Sequence, residues 1–334
     1  MPHMNGFTLL ALVALFSLSG QAQQSTVYVS VLTNKQFISG AADPHTGLFM
    51  QHPADDTTWR RSGPINTRNF HVAVGPGSNG RTLYLATGPG VLKSTDDGAS
   101  WLHTTDWKIT EVLWVTPDPR NDRIVYCATA YGIFKTVDGC KSWTEMNHGL
   151  GSTFTQCIIA DHERPDKLYC AADDGAYEST DGGGAWRRMG LSVGGVHLVA
   201  QHPSDARRLA VATEEHGIYL SDNGGVSWTK SEAGVEHETF FTVVYDPGNP
   251  EVLYAGGYMT GVYKSIDGGK KWEWLCKGLE HPKVHSIAVD PTNSNRVYAG
   301  TLWGGVYRSD DGGQSWRNAG QMGSQVYYLT ILPF

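Results

Sequence analysis

The sequence predicts an all-β fold: a seven-bladed β-propeller of four-stranded antiparallel blades, with six or eight blades as the alternatives. Three observations predict it. A signature Ser/Thr-x-Asp-x-Gly-x-x-Trp recurs along almost the whole chain. Its tryptophans (Trp101, Trp143, Trp186, Trp228, Trp272 and Trp316) are separated by 42, 43, 42, 44 and 44 residues. Between them, short β-rich runs alternate with turn clusters. A fixed period of about 40–50 residues marks a propeller or a solenoid.

Four copies of the signature are intact: Ser94 to Trp101, Ser179 to Trp186, Ser265 to Trp272 and Ser309 to Trp316. Two are altered. Thr136 to Trp143 has Cys140 in the glycine place, and Ser221 to Trp228 has Asn223 in the aspartate place. The repeat ending at Trp316 shows how one blade is built. Val284 to Val289 is a β-rich run, and Asp290 to Asn295 is rich in the residues that favour bends. Arg296 to Thr301 is a second strand, Gly304-Gly305 breaks it, and Val306 to Ser309 is a third. Trp316 is expected to begin the fourth. Six clear tryptophan turns give six blades.

A seventh blade is hidden near the amino terminus. Gly47 to Met50 is followed by Trp59, which lies 42 residues before Trp101, although the intervening turn has lost the signature. Ser25 to Leu32 resembles a second strand, so this first blade lacks an innermost one. Val326 to Phe334 aligns with Val284 to Thr292 and then stops. The carboxyl-terminal strand is therefore expected to complete the first blade. Such closure removes an open edge, a hazard for any β protein.

The signature resembles the Asp-box, or bacterial neuraminidase repeat. The chain is similar to the propeller superfamily that carries it, which includes sialidases, xyloglucanases, sortilin-type receptors and photosystem II assembly factors. In size and layout it is most similar to the single seven-bladed, enzymatically inert kind. The residues themselves read as structural. The aspartate can accept hydrogen bonds from its own turn, the glycine permits a positive φ, and the tryptophan packs between blades. Asp96, Asp138, Asp181, Asp267 and Asp311, with Asn223 in the altered copy, are accordingly expected to fold the chain rather than perform chemistry. The resemblance also implies that these turns lie on the face away from the ligand site.

Composition bounds the partners. The chain has 334 residues and a formal net charge of −7, with no run of like charges. Nucleic-acid binding is not expected, because no basic stripe exists. Phe7 to Leu18 is an uncharged apolar run, too short for a bilayer and followed by small residues up to Ala22. It reads as a secretory signal over residues 1–22, leaving one propeller over 23–334 in a secreted or periplasmic, monomeric protein. No Lys or Arg precedes the run, which counts against a signal. The five cysteines are too few for a disulfide scaffold. Cys157 and Cys170, on adjacent strands, either pair or remain buried thiols. No cofactor or metal is expected.

Two residue sets are expected on the site face. Aligning blades by the turn that follows puts His71, Gln156, His197, Phe241, His285 and Tyr327 at equivalent starts of the innermost strands, with Leu113 or Glu111 in the remaining blade. Three histidines in such a ring admit a metal, but water against a polar lining is the plainer reading. The second set lies on the loops between second and third strands: Tyr131, Asp173-Asp174, Glu214-Glu215-His216, Tyr258-Met259 and Trp303. Flat aromatics beside carboxylates suit a carbohydrate. The insertion from Thr33 to Thr46 is a candidate recognition loop over the same face.

Catalysis needs a convergent constellation, and the chain shows none. The Arg-Ile-Pro motif of the sialidases that it resembles is missing, and so is the second propeller of the xyloglucanases. Asp174 with Glu215 is the one carboxylate pair that glycoside hydrolysis could use. His197, His285 and Tyr327 are the candidate bases for a polysaccharide lyase. The leading expectation is a secreted, non-catalytic module that binds a glycan or protein partner at the channel mouth. The alternative is a carbohydrate-active hydrolase or lyase using the same face.

Overall fold

The computed structural model describes residues 25–34, 46–52, 55–64, 67–78, 81–164 and 166–333. They form seven four-stranded antiparallel sheets. The expected signal segment and most of the Thr33 to Thr46 insertion lie outside the described residues. No helix among the described residues is long and apolar enough to cross a membrane.

Six blades follow the chain in order. Blade 2, for example, consists of Asn69–Val74, Leu83–Thr87, Gly90–Ser94 and Leu102–His103, from the innermost strand outward. The innermost strands of blades 3 to 7 begin at Val112, Thr155, Val196, Phe240 and Val284. Blade 1 is assembled from both ends of the described chain. Its innermost strand is Ser324–Pro333, which pairs antiparallel with Ser25–Asn34 from Ser25↔Pro333 to Asn34↔Ser324. Gly47–His52 and Asp55–Arg61 complete it. The carboxyl-terminal strand thus closes the ring, as the alignment of Val326 with Val284 predicts.

Each sheet is sandwiched between two others, so its middle strands are buried on both faces. Such strands read as short continuous apolar runs rather than as alternating patterns. Leu83–Thr87, Leu168–Ala172 and Leu209–Thr213 are buried at every position. Tyr84, Tyr126, Tyr169, Tyr254 and Tyr298 repeat at one place in the second strand and are at most 1 % exposed. Burying one such aromatic contributes about 1.5–3 kcal/mol. The outermost strands of blades 2 to 7 are only two or three residues long, and they start after the tryptophan rather than at it. Short, polar outer strands such as Arg187–Arg188 and Arg317–Asn318 leave little edge for another chain to pair with.

The signature turns share one hydrogen-bond pattern. In blade 2, Ser94 Oγ donates to Asp96 Oδ1 at 2.7 Å and accepts from Gly98 N at 2.9 Å. Asp96 Oδ1 also accepts from Ser100 N at 2.9 Å, and Asp96 Oδ2 accepts from Ser100 Oγ at 2.6 Å. Asn223 reproduces the pattern with one bond reversed: its Oδ1 accepts from Ser227 N at 3.0 Å, and its Nδ2 donates to Ser227 Oγ at 2.8 Å. Cys140, in the glycine place, adopts φ 76°. Five of the six signature tryptophans, all but Trp228, bridge to the preceding blade. Trp101 Nε1 donates to Ser62 O at 2.7 Å, and Trp316 Nε1 donates to Leu275 O at 2.9 Å.

All five cysteines are free thiols. Cys170 pairs in register with Ile158, and Cys157 pairs with Ala171, so the two thiols are not opposite one another. Burial pushes the Cys157 thiol up to about 12.

Candidate binding mouth and channel ring

Every innermost strand carries a β-bulge at the same place, near its start. The register slips between Val112 and Trp114, Thr155 and Cys157, Val196 and Leu198, Phe240 and Thr242, and Val284 and Ser286. It also slips between Asn69 and His71, and across Tyr327 in the closing strand. A bulge leaves one residue unpaired and re-aims its side chain. The seven unpaired residues are Phe70, Leu113, Gln156, His197, Phe241, His285 and Tyr327.

These residues meet around the axis. Phe70 packs edge-on against Tyr327 with ring centroids 5.1 Å apart, and Tyr327 stacks on His285 at 6.2 Å. His285 stacks on Phe241 at 4.8 Å and 18°, and Phe241 meets His197 edge-on at 5.0 Å. His197 Nδ1 lies 2.8 Å from Gln156 Oε1. The ring is therefore mostly π-faces. Burial keeps its imidazoles neutral, with His285 held down to about 4 and His197 also lowered, Glu214 opposing the shift. Tyr327 is raised to about 12 by burial and keeps its proton.

The sequence alignment placed His71 in this ring, and the structure corrects it. His71 pairs with Ala86, one position beyond the bulge, and Phe70 takes the ring place. The following turn in blade 2 is built on Gly75 and Ser78 instead of Asp-Pro, so counting back from it misses by one. In blade 3 the ring residue is Leu113 rather than Glu111. His71 belongs to a second layer that sequence reasoning missed. It stacks on Trp114 at 3.7 Å and 13°, while Tyr328 meets both rings edge-on. Burial lowers the His71 pKa to about 3. The missing signal is simple: Trp114 and Tyr328 each follow a ring position directly.

Between the two layers lies a cavity of about 170 Å3 lined by Gln156, His197, Phe241, Thr242, His285 and Tyr328 among others. Thr242 Oγ1 and His197 Nε2 are buried there without a hydrogen-bond partner. Among the described residues, no three His, Cys, Asp or Glu side chains converge as metal ligands.

Above the ring, the loops between second and third strands form the mouth. Tyr131, Tyr258 and Met259 are exposed at 59 %, 52 % and 48 %. Lys283 Nζ lies 4.5 Å from the Tyr258 ring centroid. Trp303 is half-buried. Asp173, Glu214, Glu215 and His216 are exposed, on the loops of blades 4 and 5. Glu214 Oε2 stands 3.5 Å from His197 Nε2 and so links mouth to ring. Asp174 is otherwise engaged: Tyr177 OH donates to its Oδ2 at 2.6 Å, and Arg188 donates to its carbonyl at 2.6 Å. Among the described residues, five of the eight non-glycine residues with positive φ lie on this face: Glu111, Glu215, Met259, Trp303 and Gln321. Backbone strain of this kind gathers at ligand sites.

A larger hollow of about 610 Å3 lies elsewhere, on the signature-turn side between blades 5 and 6. It has a structural cause. In blade 6, Tyr254 and Lys264 reach across to the carbonyl of Gly312 in blade 7, at 3.0 and 2.8 Å. Blade 5 has Ala210 and Leu220 at those places, so the seam stays open beside Gly268 and Gly269.

No curated protein matches the chain in sequence. Several solved structures match its fold. The extracellular domain of the putative one-component system BT4673 from B. thetaiotaomicron superposes with a TM-score of 0.63 at 16% identity, covering 86% of this chain and 38% of that one. YCF48 bound to D1 peptide gives 0.59 at 16% identity, covering 76% and 83%. The GH74 enzyme of Niastella koreensis gives 0.59 at 20% identity, covering 77% and 47%. The chain thus spans less than half the length of that enzyme and 31% of an ancestral GH74 enzyme. At these identities the likeness is one of fold. Residues 120–330 match the DUF6242 beta propeller domain, and the chain belongs to that family.

Proposed function

We propose that this chain is a non-catalytic binding or assembly module, exported from the cytoplasm, that takes a protein or glycan partner at its channel mouth. One observation carries the reading: bulged side chains line the channel with a mostly aromatic-and-imidazole surface beneath exposed Tyr131 and Tyr258. Such a surface offers stacking area and hydrogen-bond acceptors. It supplies no matched acid and base. Asp174, the hydrolase candidate, is braced by Tyr177 and Arg188. Tyr327 stays protonated, and the depressed pKa of His285 makes it a weak base near neutrality. The signature aspartates are occupied within their own turns, which supports a folding role. Export is supported by the apolar run from Phe7 to Leu18 and the small residues before the expected cut after Ala22.

The test pairs glycan and peptide arrays with reducing-sugar and unsaturated-uronate assays on polysaccharides. Binding without turnover, weakened by Tyr131→Ala and Tyr258→Ala at an unchanged melting temperature, is the expected result. Turnover that disappears on substitution of His197 or Asp174 would overturn it in favour of a carbohydrate-active enzyme.

A further inference from the structure

His197 Nδ1 faces the carbonyl oxygen of Gln156 at 2.8 Å. With the Gln156 oxygen on that side, and since it only accepts, the ring proton is assigned to Nδ1, which leaves Nε2 with a bare lone pair. The atom opposite Nε2, at 3.5 Å, is a carboxylate oxygen of Glu214, which also only accepts. Two acceptors thus face each other with no hydrogen between them, and Nε2 is buried without a partner. Protonating the imidazole would join them, but burial opposes its charge. Thr242 Oγ1, a hydroxyl that can also accept, lines the cavity on the other side of His197 and lacks a partner too. Glu214 is 57 % exposed, so its side chain can swing aside and return over a guest.

We propose that this gap is a subsite for a primary alkylammonium group; the assignment rests on the reading of the mouth as a binding surface. An ammonium carries three donors and no acceptor. Two of them match His197 Nε2 and the Glu214 carboxylate, whereas a hydroxyl donates only once. The carboxylate neutralises the incoming charge, and Asp173 and Glu215 add to the same sign on the rim. The rings of Phe241, His285 and Tyr327 flank the alkyl stem and favour a cation over their faces. A lysine side chain of a partner protein and a free small amine share this chemistry.

The experiment is an NMR and calorimetric titration of the full chain at pH 7, observing the His197 ring nitrogens. The probes are n-butylammonium, n-butanol and a blocked Gly-Lys-Gly peptide. n-Butylammonium should shift Nε2 while Nδ1 keeps its proton, and n-butanol should not. Tighter binding of the peptide identifies a protein lysine as the source; equal or weaker binding identifies a free amine. Glu214→Gln, on an exposed side chain, should weaken binding about tenfold or more without moving the melting temperature. His197→Phe should abolish it while keeping the edge contact with Phe241. The proposal fails if Nε2 is already protonated in the free protein, if n-butanol binds as well as the amine, or if Glu214→Gln binds unchanged. An array partner that needs Tyr131 and Tyr258 but is indifferent to Glu214 would sink the ammonium subsite alone. Binding lost in Glu214→Gln but unaffected by Tyr131→Ala and Tyr258→Ala would sink the mouth reading alone.

Discussion

Trp59 Nε1 donates to the carbonyl of Ala319 at 2.6 Å, across the seam between the first and last blades. Trp101, Trp143, Trp186 and Trp316 make the same bridge to a carbonyl and Trp272 bonds the Ser231 hydroxyl of the preceding blade, whereas Trp228 bonds Gly225 in its own turn at 3.1 Å. Trp59 keeps the role although its turn has lost the signature. Trp59→Phe keeps most of the apolar surface and removes the donor. It should cost about 1 kcal/mol, the net worth of one such bond. Trp228→Phe, with no bridge to lose, should cost less. Urea unfolding of the two variants checks the contrast.

Ser94 ties three groups of its turn through one buried hydroxyl. Ser94→Ala leaves Gly98 N buried and unpaired, which should cost about 1–3 kcal/mol. Asp96→Asn should be tolerated far better, because Asn223 already shows that an amide fits. The two variants also differ in acid. Hydrogen bonds from Ser100 hold Asp96 down to about 2 against an ordinary 3.8, so its stabilisation is complete above pH 4 and is lost as pH falls through 2. Asp96→Asn should flatten that part of the pH–stability curve, read from melting temperatures between pH 5 and pH 2.

His71 should make the protein sensitive to acid at higher pH. Its pKa is about 3 when folded and 6.5 when exposed, so the unfolded chain takes up a proton first. Stability contributed by the neutral ring is full above pH 6.5 and declines as pH falls toward 3, at about 1.4 kcal/mol per unit. His71→Phe keeps a flat ring against Trp114 and removes the titration. Between pH 7 and pH 5 the variant should lose about 2 kcal/mol less than the parent. Parallel denaturant titrations at the two pH values decide it.

Much of the architecture was legible because the tryptophan period and the turn residues act locally. Trp59 could be placed by spacing alone, and Val326 by its likeness to Val284. The site was legible only in part. Gln156, His197, Phe241, His285 and Tyr327 share a ring because each sits at a bulge in a strand of the same pattern. His71 was misassigned because pairing with Ala86 sets its register, and the irregular turn at Gly75 hides that pairing. Asp174 looked free because its partner, Tyr177, reads as an ordinary strand residue. The opposed acceptors of His197 and Glu214 sit in one blade, one at the bulge of its innermost strand and the other on the loop after its second strand, and no local pattern announces them.

Closure of the ring sets the common axis on which the channel lining and mouth depend. Thr26 and Leu332 are half-buried register partners across that closure. Replacing both with cysteine and oxidising the folded protein tests it most directly, since antiparallel partners sit within disulfide reach. The account predicts one intramolecular Thr26→Cys–Leu332→Cys cross-link, found by peptide mapping, in a chain that melts at or above the parent temperature. Folded protein in which both new thiols stay free, or link only between molecules, would contradict it.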